Sequence, residues 1–209
     1  MKINEIFHSI QGEGKNVGLP TIFVRTTGCN LRCRYCDTTY AYYEGEEMEL
    51  QDIMKEIRKW DCKRICLTGG EPLLQEEMTE FADILISRGY TINIETNGSI
   101  DISDMTERDI TVSMDIKCPS SEMDDRMRME NIGLMRERDE LKFVIGGRND
   151  YEYATDIIKK YKPVCSIAMQ PAWGEMDARK LAEWMLGDSI DARLSFQLHK
   201  ILWGNRKGI

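Results

Sequence analysis

The chain has no apolar run approaching the ~18 residues of a membrane-spanning helix, so no membrane partner is expected. Its opening stretch, MKINEIFHSIQGEGK, carries charges throughout and lacks the apolar core of a secretory signal, which leads to a cytoplasmic expectation. Basic excess is missing too: 28 Lys and Arg stand against 36 Asp and Glu, a net charge of −8. A broad nucleic-acid-binding face would be basic, and no such partner is expected. Internal repeats, low-complexity stretches and Pro/Gly-rich linkers are likewise absent. The 209 residues therefore read as one domain, 1–209, shorter than the ~250 of a complete eight-unit barrel. Seven cysteines are an odd number without a disulfide-like framework, and in an unexported chain they read as reduced thiols.

What is present begins with Cys29-Asn-Leu-Arg-Cys33-Arg-Tyr35-Cys36, with no fourth Cys or His nearby. The [4Fe–4S] cluster of an electron carrier takes four thiolates. Three thiolates hold three irons and leave one corner open for a substrate or cofactor. Structural zinc competes, but it wants four closed ligands, and His8 and His199 are far away in sequence. Cys62 and Cys66 would have to supply a second pair, yet Cys66 lies inside the apolar run Ile65-Cys66-Leu67, where a buried core thiol is the ordinary reading. The spacing C-x₃-C-x₂-C, with Tyr35 directly before the last cysteine, resembles the radical S-adenosylmethionine (SAM) superfamily. That resemblance implies a [4Fe–4S] cluster on Cys29, Cys33 and Cys36, with SAM chelating the open iron.

Short β-branched runs alternate with helical patterns. Strands are expected at 21–26, 64–68, 91–95, 110–116, 141–145 and 165–170, with a seventh at 194–198. Helices are expected at 50–60, 75–88, 150–161 and 177–186, the second closed by Gly89 and the last two opening on Asp N-caps. Strands alternating with helices mean βαβ units and a parallel sheet. Right-handed crossovers would curl about six parallel strands into an α/β fold, a partial, open TIM-like barrel with reduced helices. After each of the six strands comes a polar or glycine-rich group: Thr26-Thr-Gly-Cys29, Thr68-Gly69-Gly70-Glu71-Pro72, Glu95-Thr96-Asn97-Gly98, Lys117-Cys-Pro119, Gly146-Gly-Arg148 and Gln170-Pro171. In a parallel barrel these all gather at one mouth, where active sites sit.

Several of these groups have structural readings of their own. Gly69 and Gly70 suit a tight turn, with Pro72 in the first turn of the next helix. Asn97-Gly98 is a common turn pair. Asp37 and Thr38 suit a helix cap, Lys117 a rim lysine, and Arg25 a rim ion pair. Beside the cysteine triplet, the Gly69-Gly70-Glu71 turn is similar to the superfamily segment whose backbone holds the SAM amino group. The turn at Glu95 and Asn97 is similar to the site near the SAM ribose. Lys117, with Ser113 or Asp115 on the same strand, would face SAM as well. Tyr35, Gln170 and Pro171 complete the implied cofactor set.

Glu5-Ile-Phe-His-Ser-Ile10-Gln11-Gly12-Glu-Gly14, Phe23-Val-Arg-Thr-Thr-Gly-Cys29, Cys36-Asp-Thr38 and the tail Trp203-Gly-Asn-Arg-Lys-Gly208 resemble the 7-carboxy-7-deazaguanine synthase family nearly end to end. The chain departs from the Ser-Pro-Lys of many members by reading Val112-Ser-Met-Asp-Ile-Lys117, which leaves Ser113 and Asp115 as alternatives. The resemblance implies conversion of 6-carboxy-5,6,7,8-tetrahydropterin to 7-carboxy-7-deazaguanine with loss of ammonia, in 7-deazapurine synthesis. An electron from the reduced cluster would split SAM, and the resulting 5′-deoxyadenosyl radical would take hydrogen from C6 of the substrate and later return it. Ile10, Gln11, Gly12 and Thr68 would hold the pterin edge, and Arg25 would grip the carboxylate, for which a guanidinium fork is suited. Thr38 would give its hydroxyl to Mg²⁺, a hard cation that keeps several waters. A homodimer and a reductant such as flavodoxin or ferredoxin are also implied. A glycyl-radical-enzyme activase and a non-catalytic iron–sulfur carrier are the rivals. The first needs a docking surface that the sequence does not advertise. The second lacks a fourth thiolate, and Cys118 in that role would block the open corner.

Overall fold

Residues two apart in a strand share a face, and this alternation decides which side of the sheet becomes core. The computed structural model describes residues 1–204, Arg206 and Gly208; Asn205 and Lys207 of the tail motif, and Ile209, lie outside the described residues. Its strands are β1 (Lys2–Ile10), β2 (Pro20–Thr26), β3 (Glu46–Glu47), β4 (Arg64–Gly69), β5 (Thr91–Thr96), β6 (Thr111–Ile116), β7 (Glu140–Ile145), β8 (Ser166–Pro171) and β9 (Arg193–Leu194). They form one sheet in the order β3-β1-β2-β4-β5-β6-β7-β8-β9. From β2 to β9 every pairing along the sheet is parallel. β3 and β9 stand at opposite edges, so the sheet stays open.

One face of the central strands carries Ile92 and Ile94, Val112 and Met114, Leu141 and Phe143, all buried in the core. Ile53 and Ile57 of α1 (Leu50–Ile57) and Phe81 and Leu85 of α2 (Met78–Ser87) belong to that same core, as do Ala154 and Ile157 of α4 (Arg148–Tyr161). The short α3 (Ser103–Thr106) and α5 (Ala178–Gly187) complete this layer through Met105 and Leu181. The other face carries Asn93 and Glu95, Ser113 and Asp115, Lys142, and Gln170. Side chains of that polarity do not sit under a helix layer without partners. No helix among the described residues is long and apolar enough to cross a membrane.

The six expected parallel strands are present with small boundary shifts, but the expected strand at 194–198 is not. Only Arg193 and Leu194 reach the β8 edge. The chain then turns so that Leu198 N–H donates to Gly12 O at 3.0 Å, and α6 (Leu198–Trp203) begins. β1 and β3 were not expected. α1 stops at Ile57 rather than 60, and α2 starts at Met78 rather than 75, after a tight turn over Pro72–Leu74. Gly89 does follow α2 with φ of 74°. Asp177 caps α5 by accepting from Arg179 N–H at 2.9 Å. Asp150, expected to cap α4, does not: Gly147 takes that position. The Asp150 carboxylate is buried and instead accepts from Ser120 N–H (2.9 Å) and Gly146 N–H (2.7 Å), tying together the loops after β6 and β7.

Candidate functional site

The strand ends β2, β4, β5, β6 and β8 open on a cavity of about 720 Å³. Its wall holds Cys29, Cys33, Tyr35, Cys36 and Thr38 from the loop after β2. Thr68, Gly69 and Gly70 come from β4, and Glu95 and Asn97 from β5. Asp115, Lys117 and Gln170 join them from β6 and β8, with Ile10, Gln11, Gly12 and Arg25 facing from β1 and β2. Three residues expected at the site, Glu71, Ser113 and Pro171, are not on this wall. Neither is the Gly146–Arg148 group: Gly146 is spent on Asp150. Glu71 is fully buried behind the wall, where its carboxylate accepts from Leu73 N–H (3.0 Å), Thr96 Oγ1 (2.9 Å) and Asn97 N–H (2.6 Å). Burial pushes this acid up to about 7 against the pull of those donors. Ser113 is turned to Asn93 Oδ1 at 3.1 Å. Of the pair Ser113 and Asp115, only Asp115 faces the cavity.

The cysteine loop is docked by backbone contacts rather than by its own secondary structure. Glu71 N–H donates to Gly28 O at 2.8 Å, Gly28 N–H to Ala41 O at 2.8 Å, and Cys36 N–H to Cys33 O at 3.2 Å. A Cβ on Gly70 would come within 2.1 Å of Gly28 O and 2.8 Å of Cys29 Cβ, so glycine is required for that approach. Leu31 N–H and Asn97 Nδ2 donate to Cys29 Sγ at 3.4 and 3.8 Å. Burial raises the Cys29 and Cys33 thiols, while the nearby Lys117 ammonium works the other way at Cys33. The three thiols are free and only partly buried, a donor set open to metal, whose binding would take them as thiolates and release their protons against that rise. Among the described residues no three Cys, His, Asp or Glu side chains converge on one ion-sized point. Thiolates that each take a separate iron of a cube need not converge. Tyr35 Oη and Gln170 Oε1, both at the wall, are buried without a hydrogen-bond partner among the described residues, as polar atoms that meet a ligand would be.

Charge is organised along the polar face. Lys117 Nζ pairs with Asp115 Oδ2 at 2.7 Å, and Lys142 Nζ with Asp115 Oδ1 at 3.1 Å and Glu13 Oε2 at 2.5 Å. Burial opposes charge on Lys142, but Asp115, Glu13 and Glu95 together outweigh it and raise its pKa well above the ordinary value. Asp115 is lowered, its burial penalty overcome by Lys117 and Lys142. Glu95 is raised, mainly by burial, and accepts from Gln11 Nε2 at 3.3 Å. Lys117 is thus a paired cation, its side chain only 13% exposed, rather than a free rim lysine. Arg25 does form an ion pair, its Nε 2.7 Å from Glu5 Oε1, with the guanidinium 5.9 Å from the ring centres of Phe7 and Tyr40. The Thr38 side chain makes no capping bond; its hydroxyl donates to Asp37 Oδ1 at 2.9 Å. Asp37 in turn holds Lys200 Nζ at 2.5 Å.

Glu13, Asp37, Lys142, Gln197, His199 and Lys200 also line the cavity; sequence reasoning gave Asp37 only a helix-capping role and the others none at this site. His199 arrives because Gly12 leaves room for its ring: a Cβ there would lie 2.0 Å from Nδ1. For Lys142 a signal existed, a lone lysine in the otherwise apolar Leu141-Lys-Phe-Val-Ile145.

Three cysteines at a parallel-sheet mouth, a glycine-lined approach beside them and a buried polar face define a radical SAM site, and residues 23–168 match the Radical SAM superfamily. Over 210 residues, the whole of both chains, the sequence is 40% identical to a 7-carboxy-7-deazaguanine synthase of Thermoplasma acidophilum. It is 38% identical to that of Koribacter versatilis across 97% of each chain. The chain belongs to the 7-carboxy-7-deazaguanine synthase family. The solved structure of QueE from Escherichia coli shares the fold, with a TM-score of 0.79 at 24% identity over 95% of this chain and 94% of that one. Membership of the superfamily implies a [4Fe–4S] cluster and SAM.

Proposed function

We propose that the protein converts 6-carboxy-5,6,7,8-tetrahydropterin to 7-carboxy-7-deazaguanine with loss of ammonia. The observation that carries this reading is one cavity gathering the cysteine triplet, the Gly69-Gly70 approach and Arg25 beside the Gln11-Gly12 turn. When bound, the cluster and SAM supply the one-electron chemistry that removes a hydrogen atom and returns it. Cys29, Cys33 and Cys36 hold the cluster. The backbone at Gly69 and Gly70, with Tyr35, Asn97, Asp115, Lys117 and Gln170, orients SAM. Ile10, Gln11, Gly12 and Thr68 hold the pterin edge, with Glu95 behind Gln11. Arg25, already steered by Glu5 and two rings, takes the substrate carboxylate. The walls keep water from the reacting carbon.

Thr38 is assigned to Mg²⁺, its hydroxyl released from Asp37 to the ion. Thr38→Ala is expected to raise the Mg²⁺ concentration for half-maximal activity by roughly tenfold or more; an unchanged titration removes Thr38 from that role. A homodimer, a flavodoxin- or ferredoxin-type reductant, a cytoplasmic location and a product bound for queuosine or archaeosine belong to the same reading. The direct test is anaerobic reconstitution followed by SAM, dithionite and the pterin. Mass-spectrometric detection of 7-carboxy-7-deazaguanine is the expected result. Formation of 5′-deoxyadenosine with the pterin left intact would overturn the substrate.

A further inference from the structure

Asp115 and Lys142 are direct cross-strand neighbours of β6 and β7. Each of the two carboxylates on Lys142 uses one oxygen for it and the other for its own side of the cavity. Asp115 Oδ2 holds Lys117 at 2.7 Å, on the side of Cys33. Glu13 Oε1 accepts from Gln197 Nε2 at 2.9 Å, and the same amide reaches Asp37 Oδ2 at 3.3 Å. Glu13 lies outside the sheet, on the loop between β1 and β2 that carries Gln11 and Gly12. The Lys142 side chain is only 10% exposed, so its two ion pairs are held where water does little to screen them. A neighbour that fixes Asp115 therefore fixes Lys142, and with it the loop that carries Glu13.

Resting on the reading above, we propose that Lys142 is a positioning residue that couples the SAM side of the cavity to the pterin side, so that each ligand tightens the other. The physical reason is ordering: whichever ligand arrives first settles the shared ammonium, and the second meets a wall that has less freedom left to lose. Reciprocity follows, because a coupling free energy is the same read from either site.

The test uses the reconstituted protein with its cluster oxidised, so that nothing turns over. SAM affinity is measured by equilibrium dialysis with and without 6-carboxytetrahydropterin. In the wild type the pterin is expected to tighten SAM by roughly fivefold or more, and in Lys142→Met by less than about twofold. Lys142→Arg keeps a cation between the carboxylates and is expected to recover most of the factor. If Lys142→Met does not fold, Lys142→Met with Glu13→Gln removes one charge of each sign and leaves Asp115 on Lys117. That double variant is expected to lose the coupling in the same way. A wild type that binds both ligands independently, or a methionine variant that keeps the wild-type factor, overturns the role of Lys142 while leaving the proposed reaction intact. A wild type that binds SAM but no pterin removes the underlying reading, and this one with it.

Discussion

Cys33→Ala is expected to abolish both the iron–sulfur chromophore and product formation while the apo protein keeps its fold. This result is expected because Cys33 sits half-exposed on a loop and belongs to no strand, helix or core contact. Its removal leaves two thiolates where three irons need anchors, and no other cysteine of the chain lines the cavity. Cys62, Cys66, Cys118 and Cys165 are all buried elsewhere. Iron and sulfide analysis after anaerobic reconstitution, beside a thermal melt of the apo protein, separates loss of the site from loss of the fold. A variant that still turns over would refute the ligand assignment.

The second large effect is on stability and concerns Glu71. Its acid is raised from 4.5 to about 7 in the fold. The native state therefore binds a proton more tightly than the unfolded chain does, and between those two values unfolding releases it. Stability from this group is full below pH 4.5 and falls as pH climbs to about 7. The loss is roughly 3 kcal/mol at 1.36 kcal/mol per pH unit. Glu71→Gln cannot ionise, so the wild type should lose about that much stability relative to the variant from pH 4.5 to pH 8. Urea unfolding of both apo proteins at the two pH values reads this directly; a stability difference that does not move with pH would show that Glu71 is not raised. The same carboxylate ties Leu73, Thr96 and Asn97 together. Glu71→Ala, which leaves all three donors without it, should therefore be the more damaging change at either pH.

The parallel strands were legible because their β-branched runs are short and bounded by turn residues, and the sheet mouth was legible because those turns are polar. β1 was not, for a physical reason. Its apolar residues Ile3, Ile6, Phe7 and Ile10 break strict alternation, and the pairing with β2 shifts register between Ile3 and Glu5. An irregularity of that kind resets which face a side chain takes. The cysteine triplet, Arg25, Lys117 and Thr38 could be singled out because the motifs holding them are local. Glu13 offered no such motif, and the lone lysine of β7 marked Lys142 without showing what it does. Their meaning appears only when β7 lies beside β6 in register and a loop 129 residues away folds over both. The direction of the Glu71 side chain was hidden for the opposite reason: its motif is local, but the turn points the carboxylate away from the mouth.

Because β3 and β9 never meet, the staves of this vessel leave a gap, and what fills the rim is not sheet. The turn at Gly12 and Glu13 and the segment from Gln197 to Lys200 bridge it, joined by contacts that span 184 residues of chain. The gauge of the opening is thus set by two peripheral pieces, neither of them a rung of the hydrogen-bonded ladder beneath. In this architecture the size of molecule admitted can drift with those two pieces while the strand ladder that carries the cysteine loop stays as it is.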